Sequence, residues 1–168
     1  MADVALETAP HADRAYVRLR VALRDAEESA RLLVLPVAPL TSRPGEPRAL
    51  WVAPDQWLLT SSEETAESLV RRVELSLGEI VHHATAASDA LACFVISGRH
   101  ARGLLAMGSG VDFDERAFGP GHCVRTRFAK IAVVVHCIAA DRFELIFDRS
   151  VGDYLEQWLR RAMADAAA

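Results

Sequence analysis

The chain has 168 residues, 51% apolar and 25% charged, with 19 basic against 23 acidic residues and a net charge of −4. That length suits one domain able to bury ~68–70% of the unfolded chain's surface, with the polarity of a soluble globule rather than a disordered chain. No apolar run approaches the ~20 residues that span a bilayer, the first ten residues lack the flank and apolar stretch of a secretory signal, and so short a domain leaves little room for a dinucleotide-binding and a substrate domain together.

In chain order, residues 1–15 read as a flexible N-terminal segment, residues 16–163 as one domain, and residues 164–168 as a frayed end. Tyr16 to Leu23 alternates Val17, Leu19, Val21 and Leu23 with Arg18, Arg20 and Arg24, which predicts a half-buried strand. Asp25 with Glu28 has capping-box spacing, and Ala26, Ala30 and Leu33 extend a short helix to about Val34. Pro36, Pro39, Pro44, Gly45 and Pro47 make a loop. Ala49 to Thr60 forms two strands around a Pro54-Asp55 turn, where proline fixes φ and the Asp side chain is placed to bond the backbone just beyond.

Ser61-x-x-Glu64 is a second capping box, opening a helix with Leu69, Val70, Val73 and Leu77 on its apolar stripe and Gly78 at its end. Ile80–Ala87 and Leu91–Ser97 are strand candidates, and a helix from Arg99 to Met107 ends at Gly108. After a loop come three more strands, His122–Ala129, Ile131–Ala139 and Phe143–Phe147. Ser150-x-x-Asp153 then caps a helix whose Val151, Tyr154, Leu155, Trp158 and Leu159 share a face. The order β-α-β-β-α-β, then β-α-β-β-β-α, predicts an α+β fold of two ferredoxin-like halves, the second incomplete or rearranged.

All but one of the basic residues are Arg, the exception being Lys130, but they are scattered and fit a coding bias. With pI near 5.9 and no basic cluster, nucleic acid is not an expected partner. Cys93, Cys123 and Cys137 are an odd number in apolar, strand-like contexts, which predicts buried thiols and a reducing cytoplasm rather than a disulfide framework. The pairs His122-Cys123 and His136-Cys137 each offer only one ligand to a given sheet face, so no metal site is expected. His82-His83 reads as surface or satisfied core. Gly98 to Gly103 lies where a strand enters a helix but carries neither Gly-x-Gly-x-x-Gly nor a Walker lysine, so a tight turn is the reading. Gly108-Ser109-Gly110 reads as a helix terminator with a hinge. No Ser/His/Asp order, carboxylate pair or activated cysteine forms a catalytic set, and no catalytic, cofactor-binding or metal-binding residue is assigned.

Two sets of residues stand out as contact candidates. Trp51 and Trp57 bracket the Pro54-Asp55 turn, either as core anchors or as a partner or ligand surface. Arg125 and Arg127 alternate with Val124, Thr126 and Phe128, giving a solvated face or one for an anion or partner.

The segment Trp51-Val52-Ala53-Pro54-Asp55-Gln56-Trp57-Leu58-Leu59 resembles the Trp-x-Gly-Pro-Asp-Glu-Trp-Leu-Leu segment of the gamma subunit of heterotetrameric sarcosine oxidase. Leu35-Pro36, Ile96-Ser97-Gly98, Arg102 to Gly108, Val111-Asp112, Phe118, Gly121, Thr126, Ala129, Arg149-Ser150, Tyr154-Leu155 and Trp158-Leu159 agree in order, from about Tyr16 to Arg161. Ala53 stands at the usual glycine, so this turn should not need positive φ there.

The resemblance implies a non-catalytic subunit, similar in fold to the folate-binding domain of the glycine-cleavage T-protein. It implies alpha, beta and delta partners that hold NAD, FAD, FMN, zinc and the tetrahydrofolate site, and no cofactor in this chain. The complex would oxidatively demethylate sarcosine to glycine, passing the one-carbon unit to tetrahydrofolate. A stand-alone folate- or pterin-binding module is the alternative.

Overall fold

The structure, a computed structural model, describes residues 4–8 and 14–165. Its strands are β1 (Ala5–Thr8), β2 (Ala15–Val21), β3 (Ser42–Arg43), β4 (Arg48–Ala53), β5 (Gln56–Ser61), β6 (His82–Ala86), β7 (Leu91–Ser97), β8 (Cys123–Phe128), β9 (Ile131–Ala139) and β10 (Arg142–Asp148). Its helices are α1 (Ala26–Leu33), α2 (Ala66–Leu77), α3 (Ala101–Gly108) and α4 (Gly152–Asp165). The described residues form two compact units, one of residues 14–89 and one of residues 4–8 with 90–165.

In the unit of residues 14–89 the strands lie in the order β3-β4-β5-β2-β6, each neighbouring pair antiparallel. The period-two pattern of β2 turns Val17, Leu19 and Val21 toward the helices, where they pack with Trp57 and Leu59 of β5 and with Ala30, Leu69, Val73 and Leu77. Gly78 closes α2 at φ 52°, its N–H donating to the Glu74 carbonyl.

The helix starts differ from the capping boxes read in the sequence. Asp25 flanks α1 but makes no side-chain cap, because a short 3-10 turn over Leu23–Asp25 leads into the helix. Ser61 Oγ accepts from the N–H groups of Glu63 and Glu64 in a turn of its own, and Thr65 caps α2 by accepting from the Ser68 N–H at 3.2 Å. Before α4, Asp148 rather than Ser150 is the acceptor, taking the Ser150 N–H and hydroxyl ahead of a 3-10 turn. Among the described residues α4 runs on to Asp165 with Ala162 buried; residues 166–168 lie outside them.

In the other unit the order is β1-β7-β10-β9-β8, again antiparallel throughout. The half read as incomplete obtains its missing strand from the start of the chain. Ala5–Thr8, inside the segment read as flexible, pairs with β7 as β6 pairs with β2. The backbone groups on that side of β7 thereby find partners. Leu104, Leu105, Leu155 and Leu159 pack against Phe94, Ile96, Phe128, Phe143 and Phe147. Phe128 meets Trp158 edge-on at 5.1 Å between centroids.

Gly108 ends α3 against the fully buried Phe128 ring: a Cβ there would stand 2.5 Å from two ring carbons. This glycine is a close-packing position, not simply a terminator. Gly108→Ala is expected to lower stability by about 1–3 kcal/mol, measured by urea denaturation; an unchanged midpoint would contradict the packing account. Among the described residues, no helix is long and apolar enough to cross a membrane.

Candidate functional site

The β4–β5 hairpin forms as the sequence indicates. Trp51 and Trp57 are cross-strand partners, and the register shifts between Trp51 and Ala53. The described non-glycine residues with positive φ are Val34, Leu40, Ala129 and Lys130, so Ala53 does without one. Asp55 is held by its side chain rather than by the backbone just beyond it. Its Oδ2 accepts from Arg20 Nε at 3.0 Å and its Oδ1 from Gln56 at 3.3 Å, while its carbonyl takes the Val21 N–H. Trp57 is 2% exposed and donates its indole N–H to the Pro36 carbonyl at 2.8 Å, which makes it a core anchor. Trp51 is half-buried, packed against the same core, and Pro54 is exposed.

Arg125 and Arg127 lie on β8, in the other unit, so the six candidates fall into two sets. Both are exposed, with Cys123 and Phe128 buried at the ends of the strand. Arg127 donates to the Lys130 carbonyl at 3.1 Å.

His82, His83 and His122 each bond close by in the chain. His82 Nδ1 lies 2.7 Å from the Ile80 carbonyl, His83 Nε2 lies 2.7 Å from Thr85 Oγ1, and His122 Nδ1 accepts the Gly119 N–H. The three cysteines are buried and in no disulfide, and burial pushes the Cys137 thiol above its usual range, so it stays protonated. Among the described residues no group of three or more His, Cys, Asp or Glu is placed to hold a metal ion. Gly98 takes φ 116° at the strand-to-helix turn, its N–H donating to the Asp141 carbonyl.

Two arrangements have only a faint trace in the sequence. His136 and Glu144 face each other across β9 and β10, with Nδ1 and Oε2 3.0 Å apart and side chains 4% and 2% exposed. A carboxylate between Phe143 and Leu145, eight residues after a histidine across a tight hairpin, was the available signal. Arg102 reaches from α3 to the carbonyls of Phe113, Phe118 and Ala140 and lies 5.0 Å above the Phe143 ring.

A cavity of about 390 Å³ opens in the unit of residues 14–89. Its floor includes the core side chains Leu35, Leu59, Leu69 and Val73, and Arg43, Glu46 and Arg72 also line it. Arg72 pairs with Glu64 at 2.8 Å, and Glu46 accepts from the Ser62 N–H and hydroxyl. Burial raises the Glu46 carboxyl, but hydrogen bonding from Ser61 and Ser62 and the charge of Arg48 together hold it below its usual range.

The fold is shared with solved proteins. Heterotetrameric sarcosine oxidase from Corynebacterium sp. U-96, in complex with pyrrole 2-carboxylate, contains a chain similar over 98% of this one and 86% of its own length, with TM-score 0.86 and 21% identity. The glycine cleavage system aminomethyltransferase T from Bartonella henselae matches 94% of this chain but 45% of its own, with TM-score 0.68 and 12% identity. Both likenesses concern the fold. No curated protein sequence matches the chain. The Sarcosine oxidase, gamma subunit family matches residues 17–165, nearly the whole chain. The chain belongs to the sarcosine oxidase gamma subunit family.

Proposed function

We propose that the chain is the non-catalytic gamma subunit of a multisubunit sarcosine oxidase-type flavoenzyme, and that it serves assembly and stability by docking on the large alpha subunit. The family match over residues 17–165 carries this reading, and the fold likeness to a chain of a heterotetrameric sarcosine oxidase supports it. On this reading the complex oxidatively demethylates sarcosine to glycine in the cytoplasm and hands the one-carbon unit to tetrahydrofolate. FAD, FMN, NAD and zinc belong to the alpha, beta and delta partners. Exposed Pro54, half-buried Trp51 and Asp55, and exposed Arg125 and Arg127 are the contact surfaces the reading offers. Trp57, buried in the core, orients the hairpin.

Co-expression of the tagged chain with alpha and beta subunits tests the proposal. A stable, yellow co-purifying complex is expected; recovery of the chain alone as a monomer would sink it. The second reading, a stand-alone folate or pterin binder, draws on the T-protein likeness and on a cavity within the ~300–1,000 Å³ range of small-ligand sites. Titration calorimetry with tetrahydrofolate on the isolated chain separates the two. The subunit reading expects no binding heat, and saturable heat supports the binder.

A further inference from the structure

β8 is the terminal strand of its sheet, and among the described residues no strand pairs with its outer edge. The turn joining it to β9, Ala129-Lys130, has φ of 48° and 72°, the two-residue hairpin that matches strand twist. Such a turn makes Phe128 and Ile131 a mutually bonded pair, and the antiparallel alternation extends that phase to Thr126–Val133 and Val124–Val135. The Cys137 N–H donating to the His122 carbonyl at 2.9 Å continues the same phase. The backbone N–H and C=O groups of Arg125 and Arg127 therefore point away from β9. Among the described residues no backbone group bonds them; the Arg127 carbonyl has only a 3.5 Å contact from Thr126 Oγ1.

The side chains say what kind of strand could pair there. Arg125 and Arg127, two positions apart, stand on one face of the strand roughly 7 Å apart, and no carboxylate among the described residues pairs with either. Lys130, the only lysine in the chain, follows exposed at the hairpin tip. Charged residues on an edge suppress indiscriminate strand pairing. Cations of one sign leave the edge selective for a strand of opposite sign.

We propose that β8 is a docking edge that takes up, by strand addition, an extended acidic segment of a partner subunit, with Asp or Glu at alternate positions beside Arg125 and Arg127. The choice of a partner subunit as occupant rests on the subunit reading above; the edge and its charge do not.

The test titrates the full chain, labelled with nitrogen-15, with acetyl-Thr-Glu-Val-Glu-Val-Glu-Thr-amide. The expected result is that the Arg125 and Arg127 amides slow in hydrogen exchange at least about tenfold, while those of Val124 and Thr126, already bonded to β9, change little. Arg125→Glu with Arg127→Glu, or a peptide with Gln for Glu, should weaken binding at least about tenfold. Arg125→Pro removes one outward donor without touching the β9 ladder and should abolish binding with an unchanged circular dichroism spectrum. Absence of binding at millimolar peptide, or binding indifferent to charge reversal, overturns the proposal. Co-purification with partner chains is scored separately. A stable complex whose Arg125 and Arg127 amides stay unprotected overturns the docking edge and leaves the subunit reading standing. Peptide binding by a chain that never co-purifies does the reverse.

Discussion

Arg102→Ala is expected to lower the stability of the chain by about 3–4 kcal/mol, and the thermal midpoint by roughly 6–16 °C. One guanidinium serves three carbonyls: Nη1 donates to Phe113 and Phe118, at 2.5 and 2.9 Å, and Nη2 to Ala140 at 2.6 Å. It stacks over Phe143, whose ring is fully buried, and its side chain is 17% exposed. Truncation leaves the carbonyls without their charged donor and releases the loop whose Phe113 and Phe118 meet edge-on at 5.3 Å in the core. Hydrogen bonds to a charged donor are each worth about 1.5–3 kcal/mol and are not additive within one group, which sets the size of the effect. Arg102→Lys should recover less than half of it, because an ammonium cannot fork between three carbonyls. Thermal denaturation of the two variants decides. A loss of under about 1 kcal/mol for Arg102→Ala, within the range of surface substitutions, would contradict the clamp.

The second large effect is expected at Glu144. With its partner His136 it forms a pair almost fully withdrawn from water, 3.0 Å apart. In the register it lies in a row with Cys123 and Val95. Glu144→Ala leaves the imidazole buried without its carboxylate, at a cost of about 1–3 kcal/mol, to which the cavity left by the lost side chain adds. Replacing both residues, as His136→Phe with Glu144→Leu, should cost less than Glu144→Ala alone, since neither polar group is then orphaned. Urea denaturation of the three proteins measures this. A double variant less stable than Glu144→Ala would show that packing, not polar pairing, governs the position.

What the sequence exposes and what it hides divide along physical lines. The Trp51–Trp57 hairpin, the apolar stripe of α2 and the alternation of Arg125 and Arg127 are legible because each depends on neighbours a few residues apart. The helix starts at Thr65 and after Asp148 are missed by a few positions. Several Ser, Thr and Asp residues stand near each start, and spacing does not say which of them meets the first unbonded N–H groups. β1 is hidden because its four residues pair with the open side of β7, which lies far along the chain. The role of Arg102 is hidden for the same reason: its acceptors are 11, 16 and 38 residues away. At the candidate site, period two yields the direction of the arginines but not the open backbone edge beneath them, since that requires the sheet order.

The sarcosine oxidase gamma subunit family is established by the match over residues 17–165; service as a docking subunit is the claim built on it. Native mass spectrometry of the tagged chain purified from its source organism tests that claim most directly. The account predicts one flavin-containing assembly holding this 168-residue chain together with three other polypeptides. A free monomer, with no flavoprotein at any detectable level, would contradict it.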